Sequence, residues 1–150
     1  MPQRMGNDEG MMTQPQHGVH QFELRVYYED TDFSARVYHA SYLRFLERAR
    51  TELLRDVGIH QGALHQSDDP YFFVVRRMEI EWLKPACMDD LLRVETRVLS
   101  HRGPLLTLGQ TIMRDTDRLL QADVLVVSVK ENKPARLPEA LIKRFAVYSV

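Results

Sequence analysis

The sequence predicts an α+β domain: a curved antiparallel sheet of about five strands wrapped around one long central helix. Three observations carry that expectation. Only one extended stretch, from Tyr38 to Val57, repeats its apolar residues at helical spacing. The segments on either side alternate apolar and polar residues, as half-buried strands do. The turns between the later strands are too short to join anything but antiparallel neighbours. At 150 residues, 44% hydrophobic and 27% charged, the chain is long enough to build one core without disulfide or metal staples.

Residues 1–19 are polar and rich in Gly, Pro and Gln, and read as a disordered leader. A single domain is expected over 20–150. His20 to Tyr28 alternates, with Phe22, Leu24 and Val26 on one face, and reads as the first strand. The polar run Glu29 to Ala35 is a turn. The helix is expected from Tyr38, with Tyr42, Phe45, Leu46, Ala49, Leu53, Leu54 and Val57 continuing its buried stripe. Gly58 suits the residue just past a helix end, because it takes the left-handed conformation without Cβ strain.

His60 to Pro70 reads as a loop. Tyr71 to Leu83 alternates Met78, Ile80 and Trp82 against Arg77, Glu79 and Glu81, and Pro85 ends it. Leu91 to Leu99 sets Leu92, Val94, Thr96 and Val98 against Arg93, Glu95 and Arg97. Leu105 to Arg114 and Leu119 to Lys130 are two further strands, and the tail from Pro134 ends in a short helical or extended piece. A strand of about ten residues spans roughly 33 Å and a helix of about 18 residues roughly 27 Å, so the helix can lie along the sheet. The charged outer face can meet water, and long edge strands invite pairing with a second copy. A homodimer or homotetramer is therefore expected.

Composition narrows the function. The net charge of −1 gives no basic excess for nucleic acid. No apolar run approaches the roughly 20 residues that cross a bilayer, and the N-terminal residues show no export signal. The single cysteine, Cys87, excludes an intramolecular disulfide and a CxxC metal site, and suits a reducing cytoplasm. The histidines lack the spacing of a metal site, so no metal or redox cofactor is expected. No GxSxG or Gly-rich phosphate loop is present.

What remains is the acidic turn. Asp30, Thr31 and Asp32 lie between the first strand and the helix, surrounded in sequence by Tyr27, Tyr28, Tyr38, His39 and Tyr42. Aspartates in such places ordinarily cap turns. Here, however, a carboxylate faces a helix start, where unpaired N–H groups carry partial positive charge. Donors that polarise a carbonyl and a carboxylate that attacks it or activates water are the minimum apparatus for acyl hydrolysis. Asp30 reads as structural, holding the turn.

Tyr28-Glu29-Asp30-Thr31-Asp32, Val37-Tyr38-His39-Ala40-Ser41-Tyr42 and Phe45 through Leu54 together resemble the 4-hydroxybenzoyl-CoA thioesterase family, most of all its Tol–Pal-associated acyl-CoA thioesterase branch. The resemblance spans roughly residues 20 to 140 and implies the hotdog fold, a sheet curved around a central helix. It implies an acyl-CoA thioesterase in which Asp32 is the nucleophile or general base. The backbone N–H of His39 would polarise the thioester carbonyl, and sites would form between protomers. CoA then enters as part of the substrate, with acyl-carrier protein as an alternative carrier.

The expected substrate contacts are Tyr38 near the helix start, Ala35 in the turn, and Arg76 for the CoA phosphates. One departure stands out: relatives usually carry glycine shortly after the catalytic aspartate, where this chain has Ser34-Ala35-Arg36. That departure sustains one alternative, a weakly catalytic or non-catalytic hotdog binding or scaffold protein engaging acyl-carrier protein or envelope-biogenesis partners. A dehydratase on the same fold would want a His-based pair with a helix carboxylate, and the Asp-x-Asp turn argues against it.

Overall fold

The computed structural model describes residues 18–59 and 71–149. Most of the expected leader and the expected loop from His60 to Pro70 lie outside the described residues. Strand β1 is His20–Arg25, helix α1 is Ser41–Asp56, β2 is Tyr71–Trp82, β3 is Leu91–Arg102, β4 is Leu105–Arg114 and β5 is Asp117–Lys130. A two-residue β6, Lys133–Pro134, pairs with the end of β5, and a short helix α2, Glu139–Phe145, follows. Every strand pair is antiparallel, and the order across the sheet is β1-β3-β4-β5-β2.

Alternation places the core as expected. Leu92, Val94, Thr96 and Val98 of β3 are buried, as are Leu106, Leu108, Gln110 and Ile112 of β4. Against them α1 lays Tyr42, Phe45, Leu46, Ala49, Leu53 and Leu54. Phe45 and Leu53 are fully buried; truncating either to alanine would cost about 2–5 kcal/mol in lost transfer energy and cavity formation.

Several boundaries differ from expectation: β3 runs on to Arg102 and β5 begins at Asp117, and two further differences shape the acidic turn. Strand β1 stops at Arg25, and Tyr28 opens a 3-10 turn with Glu29 and Asp30 rather than closing the strand, because the Tyr27 N–H donates to the Asp30 carboxylate at 2.9 Å and curls the chain. The helix starts at Ser41, three residues after Tyr38. Tyr38 fits the apolar period, but its N–H donates to the Asp30 carbonyl at 2.9 Å and its side chain is exposed. The helix end behaves as its glycine implies. Gly58 has φ +92°, its N–H donates to the Arg55 carbonyl, and the Ile59 N–H reaches back to Leu54, the double closure of a Schellman motif. Arg144 of α2 adds a charged cap, donating to the Val57 carbonyl at 3.1 Å.

In β2 the pairing with β5 slips between Val75 and Arg77, which leaves Arg76 as an extra residue. The slip lets Phe73 and Val75 face the same way as Met78, Ile80 and Trp82, although their numbers differ in parity. All five sit opposite the inward row of β5: Ser128, Val126, Val124, Ala122 and Leu120.

Candidate active site

The acidic turn is a tight hairpin. The Tyr38 N–H bonds the Asp30 carbonyl, Thr31 bridges Val37, and the Asp32 N–H bonds the Arg36 carbonyl at 2.9 Å. Phe33, Ser34 and Ala35 form its tip. The Ala35 N–H closes a turn onto the Asp32 carbonyl at 3.0 Å, and Ala35 itself has φ +66°. A type I turn followed by one left-handed residue is a standard three-residue hairpin connection. Glycine is favoured at the left-handed position; alanine holds it at a cost of about 1–2 kcal/mol. The hairpin therefore forms with Ala35 at a position whose left-handed backbone favours glycine.

The carboxylate of Asp32 is held by Ser34 alone among the described residues. The Ser34 N–H and hydroxyl both donate to its Oδ1, at 2.8 and 2.6 Å. The Ser34 hydroxyl, then the Ser34 N–H, and more weakly the Arg36 charge keep the Asp32 carboxyl below its ordinary value of 3.8. Asp32 is exposed, so its second oxygen is open to a substrate or a water. The Asx-type spacing of Asp32 and Ser34 was visible in the sequence as a signal, although Ser34 there drew notice only as the place of a missing glycine.

The far arm of the hairpin runs into the helix start. The Ser41 N–H is taken by the Tyr38 carbonyl and the Leu43 N–H by Ala40, and no side chain caps the helix. Among the described residues nothing accepts from the N–H groups of His39 and Ala40. The His39 ring leans on that of Tyr38, centroids 4.5 Å apart. Tyr42 turns away into the core, its hydroxyl accepting from the buried Ala86 N–H at 2.9 Å; burial raises its pKa. Asp30 is buried and spends its carboxylate on the Tyr27 N–H, the structural role expected of it.

Asp32, Ala35, Tyr38 and His39 thus share one loop. Arg76 does not join them. It lies on the bulge of β2, at the sheet edge opposite β1. Around Asp32 the surface is aromatic: Tyr28 is 81% exposed and Phe33 fully exposed. Among the described residues no group of three or more His, Cys, Asp or Glu is gathered as metal ligands, and no helix is long and apolar enough to cross a membrane.

A second concavity lies between α1 and the sheet, with a volume of about 350 Å³. Apolar side chains of Leu54, Phe73, Val75, Leu106 and Leu108 line it, together with Glu47 and Arg50. Sequence reading passed over Arg50 because its partner, Gln110, is 60 positions away.

A sheet wrapped on one helix, with an Asp-Thr-Asp hairpin feeding that helix, defines the hotdog class of thioesterase-like proteins. Comparison agrees: a model of the thioesterase-like superfamily matches residues 26–145, and the chain belongs to that superfamily. The acyl-CoA thioester hydrolase YbgC of Escherichia coli O6:H1 is 46% identical over 125 residues, covering 81% of this chain and 92% of that one. The acyl-CoA thioesterase YbgC of Haemophilus influenzae is 42% identical over 126 residues, 83% and 92% of the two chains. Among solved structures, a probable thioesterase from Bartonella henselae matches with a TM-score of 0.77 at 43% identity, over 80% of this chain and 99% of that one. A thioesterase from Thermus thermophilus, complexed with coenzyme A and zinc, matches at TM-score 0.76 over 87% and 94%, but at 24% identity the likeness is one of fold alone.

Proposed function

We propose that this protein is a cytoplasmic acyl-CoA thioesterase, with water cleaving the thioester to a free acid and CoA, and Asp32 as the reacting carboxylate. Either of two routes balances. The carboxylate attacks the carbonyl carbon, CoA leaves as thiolate, and water cleaves the resulting mixed anhydride. Alternatively the carboxylate takes a proton from a water whose oxygen attacks the same carbon. The His39 N–H, without a partner in the chain among the described residues, would polarise the carbonyl oxygen. No metal or redox cofactor is required by either route.

The observation that carries this reading is the Asp32–Ser34 pairing. It leaves an exposed carboxylate ionised at neutral pH on a hairpin whose other arm ends at the His39 N–H, which has no acceptor among the described residues. The names of the relatives support the substrate class. Tyr38 and Ala35 would border the acyl and thioester groups, and Arg76 would meet CoA phosphates only by way of a second copy, since it sits on the opposite sheet edge. A homodimer or homotetramer is therefore part of the proposal. Acyl-carrier protein is the alternative thioester carrier.

The test is hydrolysis of an acyl-CoA panel, short, long and aromatic, by wild type and Asp32→Asn. The substitution should lower kcat/KM on every accepted substrate by about 10²–10⁴-fold, the usual worth of a positioned acid–base or nucleophilic group. Equal activity in the two proteins would remove Asp32 from the mechanism. Absence of turnover by wild type on the whole panel would favour the binding or scaffold role.

A further inference from the structure

The concavity between α1 and β2 contains a charge that the hydrolytic site does not use. Arg50 projects from the middle of α1, partly buried. Its Nη1 donates to Gln110 Oε1 at 3.1 Å. Gln110 is itself fixed: it is 1% exposed, and its Nε2 donates to the Leu46 carbonyl and to Thr96 Oγ1, each at 3.1 Å. Every polar atom of the Gln110 side chain is thereby committed to aiming the guanidinium.

Arg50 also lines a pocket walled by Leu54, Phe73, Val75, Leu106 and Leu108. Among the described residues Arg50 makes no ion pair. Glu47, one turn earlier on the helix and on the same rim, acts on it only through space. Buried charges in proteins are ordinarily paired, because an uncompensated one is costly to desolvate. A guanidinium fork held without a carboxylate is suited to receive one in bidentate fashion.

Size fits a small organic group. At about 350 Å³ the pocket has more than twice the volume of a roughly 150 Å³ cavity that admits benzene, so it has room for an alkyl chain or ring with a polar terminus. Along the helix axis, the nine positions from Ser41 to Arg50 amount to about 14 Å, and helical side chains lean toward the N-terminus. Arg50 thus lies about two and a half turns beyond the helix start, on the side of the helix that lines the pocket.

We propose that this pocket seats the acyl part of the thioester substrate and that Arg50 selects acyl groups ending in a carboxylate. The proposal rests on the thioesterase reading and deepens it by naming a substrate class, the mono-CoA thioesters of α,ω-dicarboxylic acids. Leu54, Phe73 and Leu108 would hold the methylene chain, and Arg50 would replace the water that a terminal carboxylate loses on entry.

The experiment compares succinyl-, glutaryl-, adipyl- and suberyl-CoA with methyl-ended acyl-CoAs of equal carbon number, in wild type, Arg50→Met and Arg50→Gln. Wild type should prefer the carboxylate-ended substrate by about tenfold or more at one chain length, the scale of a charge-assisted hydrogen-bonded pair. Both variants should lose that preference while keeping turnover of the methyl-ended partner, which also shows that they are folded. Absence of a preference at every length, or an unchanged preference in either variant, overturns the proposal. Binding of free adipate against hexanoate to wild type and Arg50→Met, measured by calorimetry, separates the two readings. A protein with no turnover that still binds adipate through Arg50 loses the thioesterase reading and keeps the pocket; equal binding of both acids loses the pocket.

Discussion

Ser34 supplies both of its donors, backbone and hydroxyl, to one oxygen of Asp32, and the consequence is measurable. The hydroxyl is the largest cause of the lowered Asp32 pKa. A group with a depressed folded pKa is ionised above that value and loses its charge as pH falls through it, so activity that needs the carboxylate should hold down to pH values below the ordinary 3.8. Ser34→Ala removes the hydroxyl donor, and the acidic limb of kcat/KM should then move to higher pH, toward the ordinary carboxylate value. The profile of wild type against Ser34→Ala checks this; coincident limbs would mean that Ser34 does not set the ionisation. Any stability carried by the same ionisation has the same sign, present above the unfolded pKa and lost on acidification. Ala35 makes the complementary point. In the sequence Ala35 stands out only as part of a departure from the glycine that the family resemblance implies. The backbone shows what glycine is for at that position, a left-handed φ, which alanine reaches with modest strain.

At the scale of elements, α1 was legible along its buried stripe and at its Gly58 end, since both follow from local rules of spacing and chirality. Its start was not, because the Asp30 carbonyl takes the Tyr38 N–H. That is a contact across the hairpin, which periodicity cannot register. The bulge at Arg76 was equally hidden. Alternation from Met78 to Trp82 was plain, but an extra residue appears only when β5 is laid beside it. Tyr42 connects two elements: from the first turn of α1 its hydroxyl accepts the buried Ala86 N–H, in the crossing between β2 and β3. Tyr42→Phe keeps the packing and orphans that donor. It should lower unfolding free energy by about 1–3 kcal/mol, the cost of a buried unsatisfied group, read as a lower urea midpoint at unchanged slope. An unchanged midpoint would show that the Ala86 N–H finds another partner.

For the whole molecule, the strand order separates what the sequence listed together. The Asp32 hairpin follows β1 at one edge, and Arg76 sits in β2 at the other. β2 is an edge of 12 residues with Val74, Val75 and Trp82 each more than 40% exposed, the long apolar edge that proteins usually cover. Pairing of two copies along β2 would cover it and is the proposed arrangement. Val74→Lys puts a charge on that edge at little cost to the single chain, where Val74 is 47% exposed. Sedimentation should then show a smaller species than wild type. A wild type already of single-chain mass would dismiss the oligomer, and an unshifted variant would move the contact away from β2.

The acidic turn, the helix that follows it, the antiparallel meander and the membership in a thioesterase family were determined by the sequence by itself. Each depends on spacing and residue type within a few positions, where covalent geometry dominates. Tertiary structure alone decided that Arg76 lies at the far edge and that Tyr42 holds the Ala86 N–H. It also set Arg50, through Gln110 and Thr96, in the lining of an apolar pocket. Those outcomes depend on which groups meet after strands distant in sequence have paired, and on where burial leaves a charge without its water. Neither is encoded at any single position of the chain.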